Sequence, residues 1–466
     1  MPADKDRKPG DRLGNKELLG FAVGGLPLNL GVESLKQLAY PVYNIILGVN
    51  PAAIGLILMI ARLIDAFLDP LIGWLSDNSR SRWGRRRPYV ALGSVLCGLT
   101  FPLVWFVPAD TTETHAIAYF AATAFLYYLA VSVYQVSYMT LGMELTPDYA
   151  ERTRVMASRT VFGATSGLIL AWVFRIAQAD MFSDPLTGMR VVGMVLGGIF
   201  IATGVPAALA SRERYHKLAE TQEKQPVLRS LTGAFRYSSF RILMVLTLVI
   251  VFCTQSVNAL GVYVTTYYVY GGDIKAAATM TAWYGTVTLF ATWAALPILT
   301  WAARRWGKTR ALAVTMAVGC LGAILKWFLF QPEFPYAQLV VACFVAPANA
   351  GFWVLVNAMK ADMCDWDELK TGLRREGMFA AVSAWLQKLA AAMTFSFAGF
   401  VLVCTGFDQA KGGAQASDTL LHIRIVFAFV PAAAYILGIA MLRWYPLSPT
   451  VMTEVRAELE AKRAAV

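Results

Sequence analysis

Charge is scarce in this chain, and so are the residues most enzymes work with. Only 15% of the 466 residues are Asp, Glu, Lys or Arg, where soluble domains carry about 25%. The three histidines, His115, His216 and His422, lie far apart in sequence. No His or Cys spacing fits zinc, and no Ser-His-Asp set stands out. No G-x-x-x-x-G-K-S/T loop or Walker-type aspartate occurs, which counts against a pump driven by ATP. The six cysteines are Cys97, Cys253, Cys320, Cys343, Cys364 and Cys404, and all but Cys364 lie in apolar runs. They read as small packing residues with no disulfide implied. The polar start, MPADKDRKPGDRLGNKELLG, lacks a signal-peptide layout. The first membrane helix is therefore expected to act as the insertion signal.

What is present is apolar. Hydrophobic residues make up 57% of the chain, and apolar segments of transmembrane length recur throughout. The net charge of +11 sits in short turns between these segments. That placement fits cytoplasmic loops and not nucleic acid.

Twelve spans are expected. Helix one runs over 17–47, helix two over 51–77, helix three over 89–107, helix four over 116–141, helix five over 155–176 and helix six over 191–210. Six more follow near 241–268, 276–302, 309–330, 336–359, 376–404 and 422–443. The chain thus divides into a first six-helix bundle (15–210), a basic central linker (211–239), a second bundle (240–445) and a charged, helical tail (446–466). The expected fold class is an all-α polytopic membrane protein. A short echo supports two repeats: Arg82-Trp83-Gly84-Arg85 follows helix two, and Arg305-Trp306-Gly307-Lys308 follows helix eight. The even-numbered helices end at basic turns, 80–87, 148–154, the linker, 304–310 and 360–375, while loops 48–52, 108–115 and 331–336 carry no Lys or Arg. Both termini should therefore be cytoplasmic.

Helix two holds the most expensive residues. Asp65 and Asp69 are four apart and Arg62 is three before Asp65, so one helical face carries all three. A charge inside a span needs a partner, a wet cavity or a cation. Two carboxylates in low dielectric repel each other, and a bound Na⁺ or a shared proton relieves this.

Four stretches carry a family resemblance: RLIDAFLDPLIGWLSDNSRSRWGRRRPY (62–89), YQVSYMTLGMELTPDYAERTR (134–154), ADMCDWDELKTGLRREG (361–377) and WLQKLA (385–390). The chain resembles the glycoside–pentoside–hexuronide:cation symporters of the major facilitator superfamily, whose best-known type is a bacterial melibiose carrier. The resemblance implies a major facilitator fold of two six-helix bundles in the bacterial inner membrane. It also implies cation-coupled symport of a glycoside or related sugar or sugar acid. By resemblance, Asp65 and Asp69 bind the cation, Lys388 is a charge-balancing lysine of helix eleven near that site, and Arg159 lies near the sugar pocket. Gln135 stands where the melibiose carrier has a helix-four acid, and the helix-one sugar-binding acid is replaced near Gly24 or Gly25. Both departures count against melibiose, and the first favours H⁺ over Na⁺ without deciding it.

The further solute-binding candidates are Glu33, Lys36, Tyr40, Asn44, Gln135, Tyr138, Trp353 and Trp385. The gating candidates are Asp77, Arg85, Arg86, Asp148, Glu151, Arg152, Asp365 and Arg374, with the arginines expected to pair with Asp77, Asp148 and Glu151. No cofactor is expected, and a monomer in the lipid bilayer is. Two other readings stay open: a carrier for a non-sugar amphipathic solute, and a non-transporting sensor on the same scaffold.

Overall fold

The computed structural model describes residues 13–79, 81–108, 111–146, 149–211, 235, 237–371, 376–447 and 449–464. Most of the expected linker lies outside them. The described residues form helices and turns, and the chain divides into two compact units, Met1–Glu223 and Lys224–Val466.

Among the described residues the first unit holds six helices: α1 (Asn15–Ile46), α2 (Pro51–Asn78), α3 (Arg87–Leu103), α4 (Glu113–Glu144), α5 (Tyr149–Ala177) and α6 (Pro185–Ala210). The second holds α7 (Ser238–Val269), α8 (Ile274–Trp306), α9 (Lys308–Leu329), α10 (Gln338–Thr371), α11 (Glu376–Cys404) and α12 (Ser417–Met441). A charged helix, α13 (Pro449–Ala464), follows. Eleven of the described helices are long and apolar enough to cross a membrane. The twelfth, α3, has 17 residues, just under the length of about 20 that spans a bilayer without help.

The two units repeat one packing scheme. In the first, α1 lies on α5 and α6, α2 on α4, and α3 on α4 and α6. In the second, α7 lies on α11 and α12, α8 on α10, and α9 on α10 and α12. The sequence echo sits at corresponding turns. Gly84 and Gly307 both adopt positive φ, 107° and 82°, a conformation that glycine enters without steric cost. Both α1 and α7 close on a π-helical turn, Tyr40–Ile46 and Val264–Val269. Such turns are rare and concentrate at functional places.

Helix starts follow local chemistry. Asn50 accepts from the Ala52 N–H ahead of Pro51, Asp184 from Thr187 ahead of Pro185, and Asp273 from Ala276. Each satisfies a backbone donor that the first helical turn leaves open. Close packing follows from small residues. A Cβ on Gly93 would sit 2.6 Å from the Tyr134 backbone nitrogen, so α3 and α4 touch backbone to backbone there.

The structure corrects three boundaries. Residues 360–371, expected as a turn, continue α10, because charges alone do not break a helix and neither Gly nor Pro intervenes. α5 begins at Tyr149, inside the expected turn 148–154. α6 begins at Pro185, where Asp184 caps it, and not at Val191.

Candidate cation and solute site

α2 sorts its residues by face. Phe67, Leu71 and Trp74 are exposed, at 67%, 55% and 59%. At 3.6 residues per turn, Arg62, Asp65 and Asp69 fall on the opposite side. Asp65 is 1% exposed and Arg62 7%. Arg62 Nη1 donates to Asp65 Oδ2 at 3.0 Å, and its guanidinium lies 5.5 Å from the centre of the Tyr128 ring. Asp69 accepts a 2.6 Å hydrogen bond from the Ser132 hydroxyl of α4. Pro70 follows inside the helix. It has no N–H, so the Ala66 carbonyl loses its usual intrahelical donor.

Ser132 and Tyr128 were not expected at this site. The usable signal was Gln135, one turn from Ser132 on the same helix. Gln135 is half-buried, and its Oε1 is a buried atom with no hydrogen-bond partner among the described residues. Two carboxylates on one face of α2 thus lie against Tyr128 and Ser132 of α4. They sit beside one fixed guanidinium.

The other solute candidates divide by burial. Glu33 and Lys36 pair with each other at 3.2 Å on α1, with 39% and 20% of their side chains exposed. Tyr40 and Asn44 are buried, and Asn44 donates to the Val49 carbonyl at 2.8 Å. Tyr138 is buried too, donating to the Phe21 carbonyl at 2.7 Å and stacking on Phe21 and Tyr134. Arg159 is half-buried and donates to the Met139 sulfur. Trp353, Trp385 and Lys388 are half-buried and belong to the second unit.

The basic turn has a partner that was not among the expected ones. Arg85 and Arg86 both bond Glu144 Oε1, at 2.7 and 3.0 Å. Glu144 ends α4, so the pairing ties the α2–α3 turn to a helix C-terminus. Glu151 instead accepts from Arg154 at 3.0 Å and from the Leu13 N–H at 3.2 Å. The second unit repeats the device: Lys308, after the echoed Gly307, bonds Asp362 on α10 at 2.7 Å. Asp365 lies on α10, one turn beyond Asp362. Asp148 and Arg374 lie outside the described residues, as do the side chains of Asp77 and Arg152.

Comparison with known proteins agrees with this architecture. An uncharacterized symporter of Synechocystis sp., sll1374, is 25% identical over 89% of this chain and 91% of its own length. The glucuronide carrier protein homolog of Escherichia coli is 23% identical, covering 96% of both chains. Among solved structures, the nucleoside transporter NupG superposes with a TM-score of 0.61 at 14% identity, covering 93% of this chain and all of its own. That likeness is one of fold. The relatives and structural neighbours are transporters, not enzymes. The profile of the MFS/sugar transport protein family matches residues 20–449, nearly the whole chain, and the protein belongs to that family.

Proposed function

We propose that this transporter is a cation-coupled symporter of a glycoside or related sugar or sugar acid, of the glycoside–pentoside–hexuronide type. It works by alternating access in a bacterial inner membrane, as a monomer with both termini cytoplasmic. One observation carries the reading. Arg62, Asp65 and Asp69 share one face of an apolar span, and the formal charges of these three sum to minus one. A monovalent cation, H⁺ or Na⁺, brings that sum to zero. The cost of a net charge in low dielectric then falls when the cation binds. An empty site resists reorientation and a loaded one does not, which links cation movement to solute movement.

The likeness to a glucuronide carrier protein homolog supports the sugar-acid arm of this reading. Arg85 and Arg86 on Glu144, and Lys308 on Asp362, serve as the latches of the two units. Lys388 supplies the counter-charge when the cation has left. The test is uptake by proteoliposomes across a panel of glycosides and sugar acids, with Na⁺ and pH gradients imposed separately. Accumulation of at least one of them under one gradient is expected. Uptake that ignores both gradients would refute the coupling.

A further inference from the structure

α10 carries a polar stripe that the sequence motifs do not include. Asn349, Trp353, Asn357 and Lys360 follow at spacings of four, four and three, so they stack along one side of the helix. Asn349 and Asn357 are exposed, and Trp353 and Lys360 are half-buried. All four lie within the apolar span Pro335–Thr371. Carboxamides and an ammonium are costly in hydrocarbon and turn toward water or partners instead. Neither asparagine side chain has a hydrogen bond to a described residue, so this face meets water.

Lys360 is the telling member. No hydrogen bond, ion pair or ring contact joins its ammonium to any described residue. Its neighbours one turn away, Val356, Asn357, Met363 and Cys364, carry no acid. The nearby Asp362 is held by Lys308 at 2.7 Å. Lys370, by contrast, rests on the Trp366 ring at 3.7 Å. A half-buried ammonium without an internal anion is a site for an external one.

Resting on the symport reading above, we propose that this stripe is the solute-facing wall of α10 and that Lys360 binds the anionic group of the solute. The preferred solute is then a glycoside bearing a carboxylate or sulfonate. Each residue has a matching task. The Trp353 ring packs on the apolar face of a sugar, the two asparagines hydrogen-bond hydroxyls, and Lys360 offers three donors and a charge.

The test uses the full chain in proteoliposomes, with radiolabelled methyl glucuronide and methyl glucoside as probes. Lys360→Gln should raise the KM for the glucuronide at least tenfold and leave glucoside uptake within twofold. Charge-assisted hydrogen bonds set that scale. Lys360→Arg should keep glucuronide KM within about threefold, because the charge is retained. In a cysteine-free background, Asn357→Cys should react with a membrane-impermeant thiosulfonate and be protected by glucuronide. Glucuronide uptake unchanged by Lys360→Gln, or an unreactive Asn357→Cys, overturns the proposal. If the glucoside is still accumulated in that case, the symport reading stands and only the anion site fails. If the wild type accumulates neither probe nor any solute of the wider panel, the symport reading itself fails and this proposal with it.

Discussion

Replacing Arg62 by Gln removes the only fixed positive charge of the α2 trio. The structure sets the scale of the effect. Arg62 and Asp65 lie 3.0 Å apart, with side chains 8% and 0% exposed. At an effective dielectric constant of about 20, that separation gives about 5.5 kcal/mol of attraction. Much of it only offsets the desolvation of the two groups. Removing one partner of such a pair costs about 3–5 kcal/mol, since the other charge stays buried. Arg62→Gln should therefore lower stability by that amount, and Asp65→Asn by somewhat less. The double variant should recover about half of the loss, because neither charge is stranded. Melting of the purified protein in detergent, wild type and three variants together, gives the cycle. Near-additive losses would refute the pairing argument. The same proteins separate structure from mechanism: the double variant should fold yet fail to accumulate solute. A double variant that folds and accumulates normally would reduce the pair to a helix staple.

Three other outcomes follow from single contacts. Ser132→Ala removes the 2.6 Å donor to Asp69 and should weaken the dependence of uptake on cation concentration about tenfold, the scale of one charge-assisted bond, leaving folding intact. Gly93→Ala places a methyl group 2.6 Å from the Tyr134 nitrogen; overpacking of that kind costs about 1–3 kcal/mol and should appear as a lower melting temperature. Asp184 lies outside the spans, and its hydrogen bonds with Thr187 hold its carboxyl below the ordinary value of 3.8. The cap it makes is thus fully present above pH 3.8 and fades as the pH falls below that value toward the lower folded-state one. Asp184→Ala should cost about 1 kcal/mol at pH 7, and the difference from wild type should shrink only in strong acid.

Much of the architecture was readable from hydropathy, because each span must satisfy its own backbone in lipid. The α2 acids were readable for the same reason: their presence in an apolar run is expensive enough to notice. The contacts that α2 and the turn after it make with another helix were not. Ser132 and Glu144 are ordinary residues in helix four until α2 and the α2–α3 turn pack on it, and no spacing within one helix announces a contact between two. The charged residues of 360–371 masked the last turns of α10, since polarity marks solvent exposure as readily as a loop. The π-helical ends of α1 and α7 leave no trace in periodicity over so few residues. The repeat was visible only as a four-residue echo, whereas the packing scheme shows it along all six helix pairs.

The central claim is that Asp65 and Asp69 convert a cation gradient into solute accumulation. Its most direct measurement is solute uptake by proteoliposomes under an imposed Na⁺ or pH gradient, alongside gradient-free exchange, for wild type, Asp65→Asn and Asp69→Asn. The account predicts that the wild type concentrates solute under one of the two gradients and that neither variant does, even where exchange persists. Accumulation by both variants at the wild-type level would contradict it.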